Sequence, residues 1–192
     1  MSSVMRWTGL AVVATLGLLV GCGGDDLTGV GRGNLSIRIT DGPFADAKAV
    51  LVAFSEVQVH RSGGGWEVVP FVGGSTSRTC DLKKLQGAQD VLGVGALPEG
   101  HYTQIRLVVS AAALYFENAA SGAACAASIA APGGRSAALE IPSGEVKLNR
   151  EFDVPASGAT TITLDFDGDQ SIHETGNGRY RMNPVIAVVG VS

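Results

Sequence analysis

The stretch Leu97–Val109, LPEGHYTQIRLVV, decides the fold class that the sequence predicts. It opens on a turn signal at Pro98 and Gly100, and the residues after the turn alternate between apolar and polar side chains. The two predicted faces hold Ile105, Leu107 and Val109 on one side and Tyr102, Gln104 and Arg106 on the other. A period of two is typical of a strand with one buried face, so this stretch predicts a central β-strand.

Further runs of the same kind lie before and after this strand. They are Leu35–Thr40, Lys48–His60, Val146–Val154, Thr160–Asp167 and Tyr180–Val191. Turn signals separate the runs, and the sequence has no long amphipathic helix and no repeat of fixed period. The pattern predicts an all-β antiparallel β-sandwich of about eight strands, of the general immunoglobulin-like kind.

Three local features refine this expectation. The run Lys48–His60 changes the parity of its apolar residues, which predicts a bulge or break near Ser55 and Glu56. The Gly-rich turn after that run predicts a hairpin over residues 50–72. Tyr102 follows its turn directly, and this resembles a corner tyrosine whose hydroxyl binds the backbone.

Three other segments are harder to assign. Asp81–Leu85 fits either one helical turn or a short strand. Residues 118–138 are rich in Gly, Ala and Ser and predict a low-complexity surface loop, with a short helix around 119–131 as the alternative. Residues 168–178 predict a polar loop, and Pro184 indicates an edge or a bulge in the last strand.

The N-terminus has the pattern of a bacterial lipoprotein signal. Met1–Arg6 is short and basic, and the uncharged apolar run Trp7–Val20 is too short to span a bilayer comfortably. The residues before Cys22 look like a lipobox, which predicts cleavage at residue 21 and acylation of Cys22. An uncleaved anchor or an ordinary signal is the alternative. The predicted organisation is therefore a signal peptide at 1–21, a Gly-rich tether at 22–33 and one domain at 34–192.

The tether and the charge balance limit the partners. A Gly-rich tether has an r.m.s. reach of roughly 20 Å, although an ordered first strand starting near Val30 is the alternative. The chain of 192 residues has a formal net charge of −4, which argues against nucleic acid as a partner. After acylation of Cys22, Cys80 and Cys125 form an even pair in an oxidising compartment, which favours a disulfide over two separate thiols.

Several stretches together resemble the bacterial lipoprotein domain called DUF4382. They are ITDGPFADAKAVLVAFSEVQVH (39–60), DLKKLQG (81–87), ALPEGHYTQIRLVV (96–109), IPSG (141–144) and LDFDGDQSIHETGNGRYRMNPVI (164–186). The resemblance covers residues 34–189 and implies an exported β-sandwich similar to transthyretin-like and carbohydrate-binding-like domains, usually on a lipidated N-terminus. It implies no activity and no catalytic residue. The Ala-rich stretch 118–138 departs from the family pattern, which leaves any role of Cys125 open.

The sharpest metal-site candidate is the sequence Asp165-Phe166-Asp167-Gly168-Asp169. Asp165 and Asp167 share one face of the predicted strand, and Asp169 follows on the loop. Calcium prefers such oxygen ligands, so Ca²⁺ is the one cofactor to consider. The spacing does not match an EF-hand loop. The alternative is a row of solvated carboxylates paired with arginines on neighbouring strands.

Aromatic residues that border loops provide a candidate ligand-binding surface. Trp66, Tyr115 and Phe116 would offer flat apolar faces to a sugar ring, unless packing requires them. The three histidines, His60, His101 and His173, share no metal-ligand spacing. The sequence also contains no nucleophile elbow, zinc-protease motif or phosphate-binding loop, so we do not expect an enzyme.

These observations predict a lipid-anchored protein of the cell envelope that acts as a non-catalytic binding or structural module. Gly23 after the acylated cysteine favours the outer membrane over the inner membrane, with the domain in the periplasm or outside the cell. The expected partners are the membrane, through the anchor, and a glycan or an envelope protein. The alternatives are a calcium-supported carbohydrate-binding module and an envelope enzyme without a recognisable motif.

Overall fold

The computed structural model describes residues 30–42 and 46–192 and is built from two stacked β-sheets. The predicted signal peptide at 1–21, the acylation site Cys22 and most of the predicted tether lie outside the described residues. Within the described part, no helix is long and apolar enough to cross a membrane.

Strands account for almost all the regular structure, and their bounds are as follows. In chain order they are β1 (Arg32–Asp41), β2 (Ala49–Arg61), β3 (Trp66–Val68), β4 (Arg78–Asp81), β5 (Asp90–Pro98), β6 (Gly100–Tyr115), β7 (Cys125–Ala126), β8 (Ser136–Glu140), β9 (Glu145–Val154), β10 (Ala159–Phe166), β11 (Ile172–Gly176), β12 (Arg179–Met182) and β13 (Ile186–Val191). In residues 30–42 and 46–192, helical structure is limited to 3-10 turns at Val72–Gly74 and Leu82–Leu85 and to the four-residue helix α1 (Gly168–Ser171).

The small sheet has four strands in the order β13-β10-β1-β5. The large sheet follows the order β11-β12-β8-β6-β2-β4-β7, with β3 beside β2 and β9 beside β6. The all-β sandwich is therefore confirmed, but β1 pairs with β10, and β8 with β12, in parallel. The described residues form thirteen strands instead of about eight, because β3, β4, β7, β8, β11 and β12 have only two to five residues. Strands this short show no alternation in the sequence.

The core fills the space between the sheets and follows the predicted alternation. Its small-sheet side is formed by the fully or almost fully buried side chains of Leu35, Ile37, Ile39, Ile162, Leu164 and Phe166. Strand β1 begins at Arg32, two residues inside the predicted tether and closer to the alternative of an ordered first strand.

Two bulges determine which side chains of the large sheet reach the core. The register between β2 and β6 shifts around Ser55, so that Phe54 and Val57 are both buried, which confirms the predicted bulge. A second shift between Tyr102 and Gln104 turns the fully buried Tyr102 into the core. The prediction that Tyr102 shares the polar face of Gln104 was therefore wrong, because a register shift reverses the parity.

The corner-tyrosine prediction for Tyr102 is confirmed. Its hydroxyl donates a hydrogen bond to the carbonyl of Pro98 at 2.8 Å, and its ring stacks on Phe152 with 5.3 Å between centroids. Burial raises the pKa of this hydroxyl. The turn before β6 is thus fixed by the first large side chain after it.

The remaining segments resolve as follows. Asp81 caps the 3-10 turn Leu82–Leu85, so the segment that the sequence assigned either to one helical turn or to a short strand is a helical turn. Residues 118–138 contain no helix and are largely irregular, apart from β7 and the start of β8. The predicted polar loop after β10 instead contains α1 and β11, and the predicted last strand is divided by Asn183–Val185 into β12 and β13.

The two sheets share two ends, which we call the tether end and the far end. The tether end contains the first residue of β1, the β5–β6 turn at Glu99 and the β9–β10 turn at 155–158. At this end the amide of Gly31 donates a hydrogen bond to the Glu99 carboxylate at 3.3 Å. The far end contains Asp41, Tyr115 and Phe166, where β1, β6 and β10 end. The chain that precedes the domain therefore enters at the tether end.

Candidate functional site

The half of the large sheet nearest the tether end presents a polar outer face, which we call the platform. Cross-strand register forms it: His60 lies opposite Trp66 and Gln104, and Gln58 lies opposite Arg106. The platform consists of Gln58, His60, Trp66, Gln104, Arg106, Glu145, Lys147 and Asn149. It crosses four strands in the order β3-β2-β6-β9.

The platform forms because β2 and β6 bury their apolar side chains on the opposite face of the sheet. Val57 and Val59 of β2 pair with Leu107 and Ile105 of β6, and all four side chains are fully buried. Residues between them on each strand must point to the opposite side of the sheet. The same bulge at Ser55 that buries Val57 therefore places the intervening polar residues outside.

Arg106 is the centre of the platform. Its guanidinium carbon lies 4.1 Å from the ring centroid of Trp66, and its Nε donates a hydrogen bond to Gln58 Oε1 at 2.7 Å. On the other side, Arg106 lies 3.7 Å from Glu145, which also pairs with Lys147 at 2.8 Å. The hydrogen bond from Lys147, together with the nearby positive charges, lowers the pKa of Glu145. This network holds the aromatic ring and the charged groups in one layer.

The other row of the platform is held by amide and imidazole contacts. The Gln104 side-chain amide donates a hydrogen bond to Asn149 Oδ1 at 3.0 Å, and His60 Nδ1 lies 3.2 Å from Thr103 Oγ1. The His60 ring meets Trp66 edge-on, with 5.2 Å between centroids. Flat rows of fixed amides, charges and one aromatic ring suit contact with an extended polar ligand, since they offer donors, acceptors and an apolar face at once.

The far half of the same outer face is apolar. Leu51, Ala113 and Tyr115 line a shallow groove there, and Ile129 from the irregular segment packs beside them. That segment is attached to the sheet at Cys125, which lies opposite Cys80 and is joined to it by a disulfide. The outer face is therefore divided into a polar half and an apolar half.

The three predicted aromatic residues do not form one platform. Trp66 lies on the platform, but Tyr115 lies at the opposite end of the long strand β6. Phe116 packs between Arg135, at 4.1 Å from the ring centroid, and Tyr180, at 5.5 Å between centroids. The prediction of a shared sugar-stacking surface is corrected on this point, because adjacent strand residues point to opposite faces.

The predicted metal ligands Asp165, Asp167 and Asp169 do not converge either. Among the described residues, no three His, Cys, Asp or Glu side chains are placed to hold a metal ion. Asp167 instead caps helix α1, accepting a hydrogen bond from the Gln170 amide at 3.0 Å. Asp169 is exposed in the first turn of that helix. The predicted trio is therefore corrected to a helix cap and strand-end carboxylates.

These carboxylates act electrostatically on a buried neighbour that the sequence did not single out. Asp41 at the end of β1 is 5% exposed, and its Oδ1 has no hydrogen-bond partner among the described residues. Burial, with the negative charges of Asp165, Asp167 and Asp169, raises the pKa of Asp41 to about 8. Asp81 is also buried, and burial raises its pKa, but it accepts hydrogen bonds from the amides of Val50 and Lys83.

A family model described as a domain of unknown function, DUF4382, matches residues 32–184. The chain belongs to the DUF4382 family. The match includes all the strands that form the platform and ends before β13. No curated protein and no solved structure matches the chain.

Sequence reasoning found Trp66 but missed the rest of the platform. The signal was present in β2, where Gln58 and His60 alternate with buried valines after the bulge. The residues of β6 and β9 join them only through the register, and a single sequence does not specify which residues of different strands lie side by side.

Proposed function

We propose that this DUF4382 protein is a lipid-anchored, non-catalytic binding module of the bacterial cell envelope, and that the platform is its recognition surface. The observation that carries the proposal is the arrangement around Arg106. One side chain fixes an aromatic ring, an amide and a carboxylate in a single half-buried layer on the outer face of the sheet. Such pre-arranged polar groups lose little conformational freedom when a ligand binds.

The anchor is supported by the lipobox before Cys22 and by the position of the tether end. Because β1 begins at Arg32, the tether joins the domain beside the β5–β6 and β9–β10 turns. In a single anchored copy, the far end, with the disulfide-attached segment and the β11–β12 hairpin, would then point away from the membrane. We favour the outer membrane, with the domain in the periplasm or on the cell surface.

The non-catalytic role is supported by what surrounds the buried ionisable groups. Asp81 caps a 3-10 turn, and Asp41 lies at the end of a core strand. Neither belongs to the platform, where the polar groups are joined to one another by hydrogen bonds and ion pairs. An envelope enzyme would instead need a group on that surface whose pKa is shifted toward neutrality, whereas the pKa of Glu145 is lowered away from it.

The anchor is tested by cell fractionation of the full chain and of a Cys22→Ser variant. We expect the parent chain in the membrane fraction with incorporated labelled fatty acid, and the variant without label and released from that fraction. A variant that stays in the membrane without label would show an uncleaved hydrophobic anchor and would overturn the lipid anchor.

A carbohydrate ligand is the more specific candidate, favoured by Trp66 lying among amide and charged side chains. The transthyretin-like and carbohydrate-binding-like architecture implied by the family resemblance agrees with it. Because the chain has two tryptophans, Trp66 and Trp7, the difference in emission between the parent chain and Trp66→Phe reports on the platform. Titration of the full chain with N-acetylglucosamine oligomers and with peptidoglycan fragments should change the emission of the parent chain. The change should disappear in Trp66→Phe.

Loss of binding in Gln104→Ala, with retention in Ser128→Ala, would locate the ligand on the platform. Ser128 is exposed in the segment between β7 and β8, so its substitution is the matched control. Absence of any response to both probes would exclude these glycans and leave an envelope protein as the expected ligand.

A further inference from the structure

The small sheet ends in an unprotected strand, β13. Among the described residues, β13 pairs with β10 and with no other strand. Its outward side chains Val189 and Val191 are 56% and 39% exposed, and Val185 just before it is 42% exposed. Residues 185–192 contain no charge and no proline. A neutral, valine-rich edge of this kind readily pairs with another strand.

The opposite edge of the same sheet is covered by the chain itself. The amide of Val94 in β5 donates a hydrogen bond to the carbonyl of Pro70 at 2.9 Å, and Phe71 forms a bridge with Gly93. The contact is close, because a Cβ atom on Gly95 would lie 2.6 Å from Pro70 Cδ. The middle of this edge, at Gly93–Gly95, is therefore occupied by residues 70 and 71.

The large sheet protects its own edge on the β13 side in a different way. Within the described part of the chain, strand β9 pairs only with β6, and it packs near β13 across the sandwich. It has five charged residues among its ten, namely Glu145, Lys147, Arg150, Glu151 and Asp153. Charged side chains are a common protection against strand addition. As far as the structure describes the chain, β13 has neither a covering segment such as that on β5 nor charged side chains such as those of β9.

We propose that β13 is a homodimer edge, which pairs antiparallel with β13 of a second copy. A strand without charges meets its own copy with no like-charge repulsion, and antiparallel pairing is the arrangement that a two-fold axis produces. The two four-stranded sheets would then form one continuous eight-stranded sheet, which is within the usual size. The outward-facing side chains of Ala187, Val189 and Val191 in the two copies would then lie side by side across the two-fold axis.

The proposal has a geometric consequence for an anchored protein. Antiparallel pairing turns the tether ends of the two copies in opposite directions. If the copies are anchored in one membrane, as in the function proposed above, the strands of the pair must run along the membrane surface. The pairing itself does not depend on the anchor or on the platform, since β13 belongs to the other sheet.

Cysteine cross-linking of the full chain tests the proposal. Residues that lie opposite each other in antiparallel strands share a face, so the two-fold axis passes between the two copies of one residue of β13. An axis at Val189 would link Val189→Cys to itself, and an axis at Val188 would link Ala187→Cys to Val189→Cys. Mild oxidation of the single variants and of their mixture should therefore give a dimer-sized band. Val94→Cys, on the covered edge, should give none.

The second measurement is the dissociation constant of the dimer after a charged side chain has been introduced into β13. Sedimentation equilibrium of the full chain should show a monomer–dimer equilibrium, and Val189→Lys should raise its dissociation constant at least tenfold. Val94→Lys, at an exposed valine of the other edge, should not change it. Neither substitution enters the core, so both proteins should keep their unfolding midpoint within a few degrees.

Three results would overturn the proposal. A parent chain that is monomeric at ~100 μM would exclude the dimer. Equal cross-linking from Val94→Cys would show random collision. Slow hydrogen exchange of the β13 amides in a monomer would show that another part of the same chain occupies the edge.

Discussion

The buried carboxyl of Asp41 makes the stability of this protein fall as the pH rises. Its pKa is raised from 3.8 to about 8, because burial and three neighbouring carboxylates disfavour the charged form. The folded state therefore holds a proton that the unfolded chain releases near pH 4. Between these two pKa values the folded state binds more protons than the unfolded state, so each pH unit removes about 1.4 kcal/mol of unfolding free energy.

The magnitude follows from these two pKa values. Stability from this group is fully present below pH 4 and is lost as the pH rises to about 8. Between pH 5 and pH 8 the loss is about 3 to 4 kcal/mol, which is a large part of the ~5–15 kcal/mol that stabilises an ordinary domain. Asp41→Asn keeps the shape of the side chain and removes the ionisation, so its unfolding free energy should lack this loss.

Urea unfolding of the full chain at pH 5, 6, 7 and 8 measures the effect. We expect the parent chain and Asp41→Asn to diverge with rising pH, because the parent chain loses about 3 to 4 kcal/mol between pH 5 and pH 8 and the variant lacks this loss. Asp46→Asn, at an exposed carboxylate of the same end, should follow the parent chain. Parallel pH profiles of the parent chain and Asp41→Asn would refute the reasoning and assign Asp41 an ordinary pKa.

Three further predictions concern stability and metal binding. Tyr102→Phe removes the hydroxyl that binds Pro98 and should lower the unfolding free energy by about 1 kcal/mol in urea titration, with Phe152 stacking retained; an unchanged value would mean that the corner bond contributes nothing. Replacing both Cys80 and Cys125 by Ser opens a link between residues 45 apart and should cost about 4 kcal/mol, measured in the same way, whereas a loss below about 1 kcal/mol would contradict the loop-closure argument. Because Asp165, Asp167 and Asp169 do not converge, the thermal unfolding midpoint should be the same in millimolar calcium as in EDTA. A midpoint that rises in calcium, and no longer rises in Asp167→Ala, would show that these carboxylates bind the metal.

How much of the fold was predictable depends on strand length. The long strands β1, β2, β6, β9 and β10 have eight residues or more, which is enough for runs of alternating apolar residues that indicate their buried faces in the sequence. The short strands have no alternation to detect. The bulge near Ser55 was predictable because two valines changed parity, whereas the one beside Tyr102 was hidden, since a tyrosine fits either face.

The candidate site was predictable only in part, for a physical reason. Trp66 stands out by residue type, but Arg106 and Glu145 become its neighbours through pairing between strands that are distant in the chain. Asp165 and Asp167 show the reverse case. Their spacing suggested a shared ligand, yet a four-residue helix uses Asp167 as its cap. Local sequence spacing does not specify what a carboxylate binds.

Photo-cross-linking from the platform in living cells tests the central claim most directly. A photoreactive amino acid at Asn149, which is exposed on the platform, should capture an envelope component in the full membrane-bound chain. The same group at Asp46, exposed at the far end, should capture nothing specific. An adduct from Asn149 alone would establish the platform as the contact surface. Equal labelling from both positions, or none from Asn149, would contradict the proposal that this protein binds its ligand there.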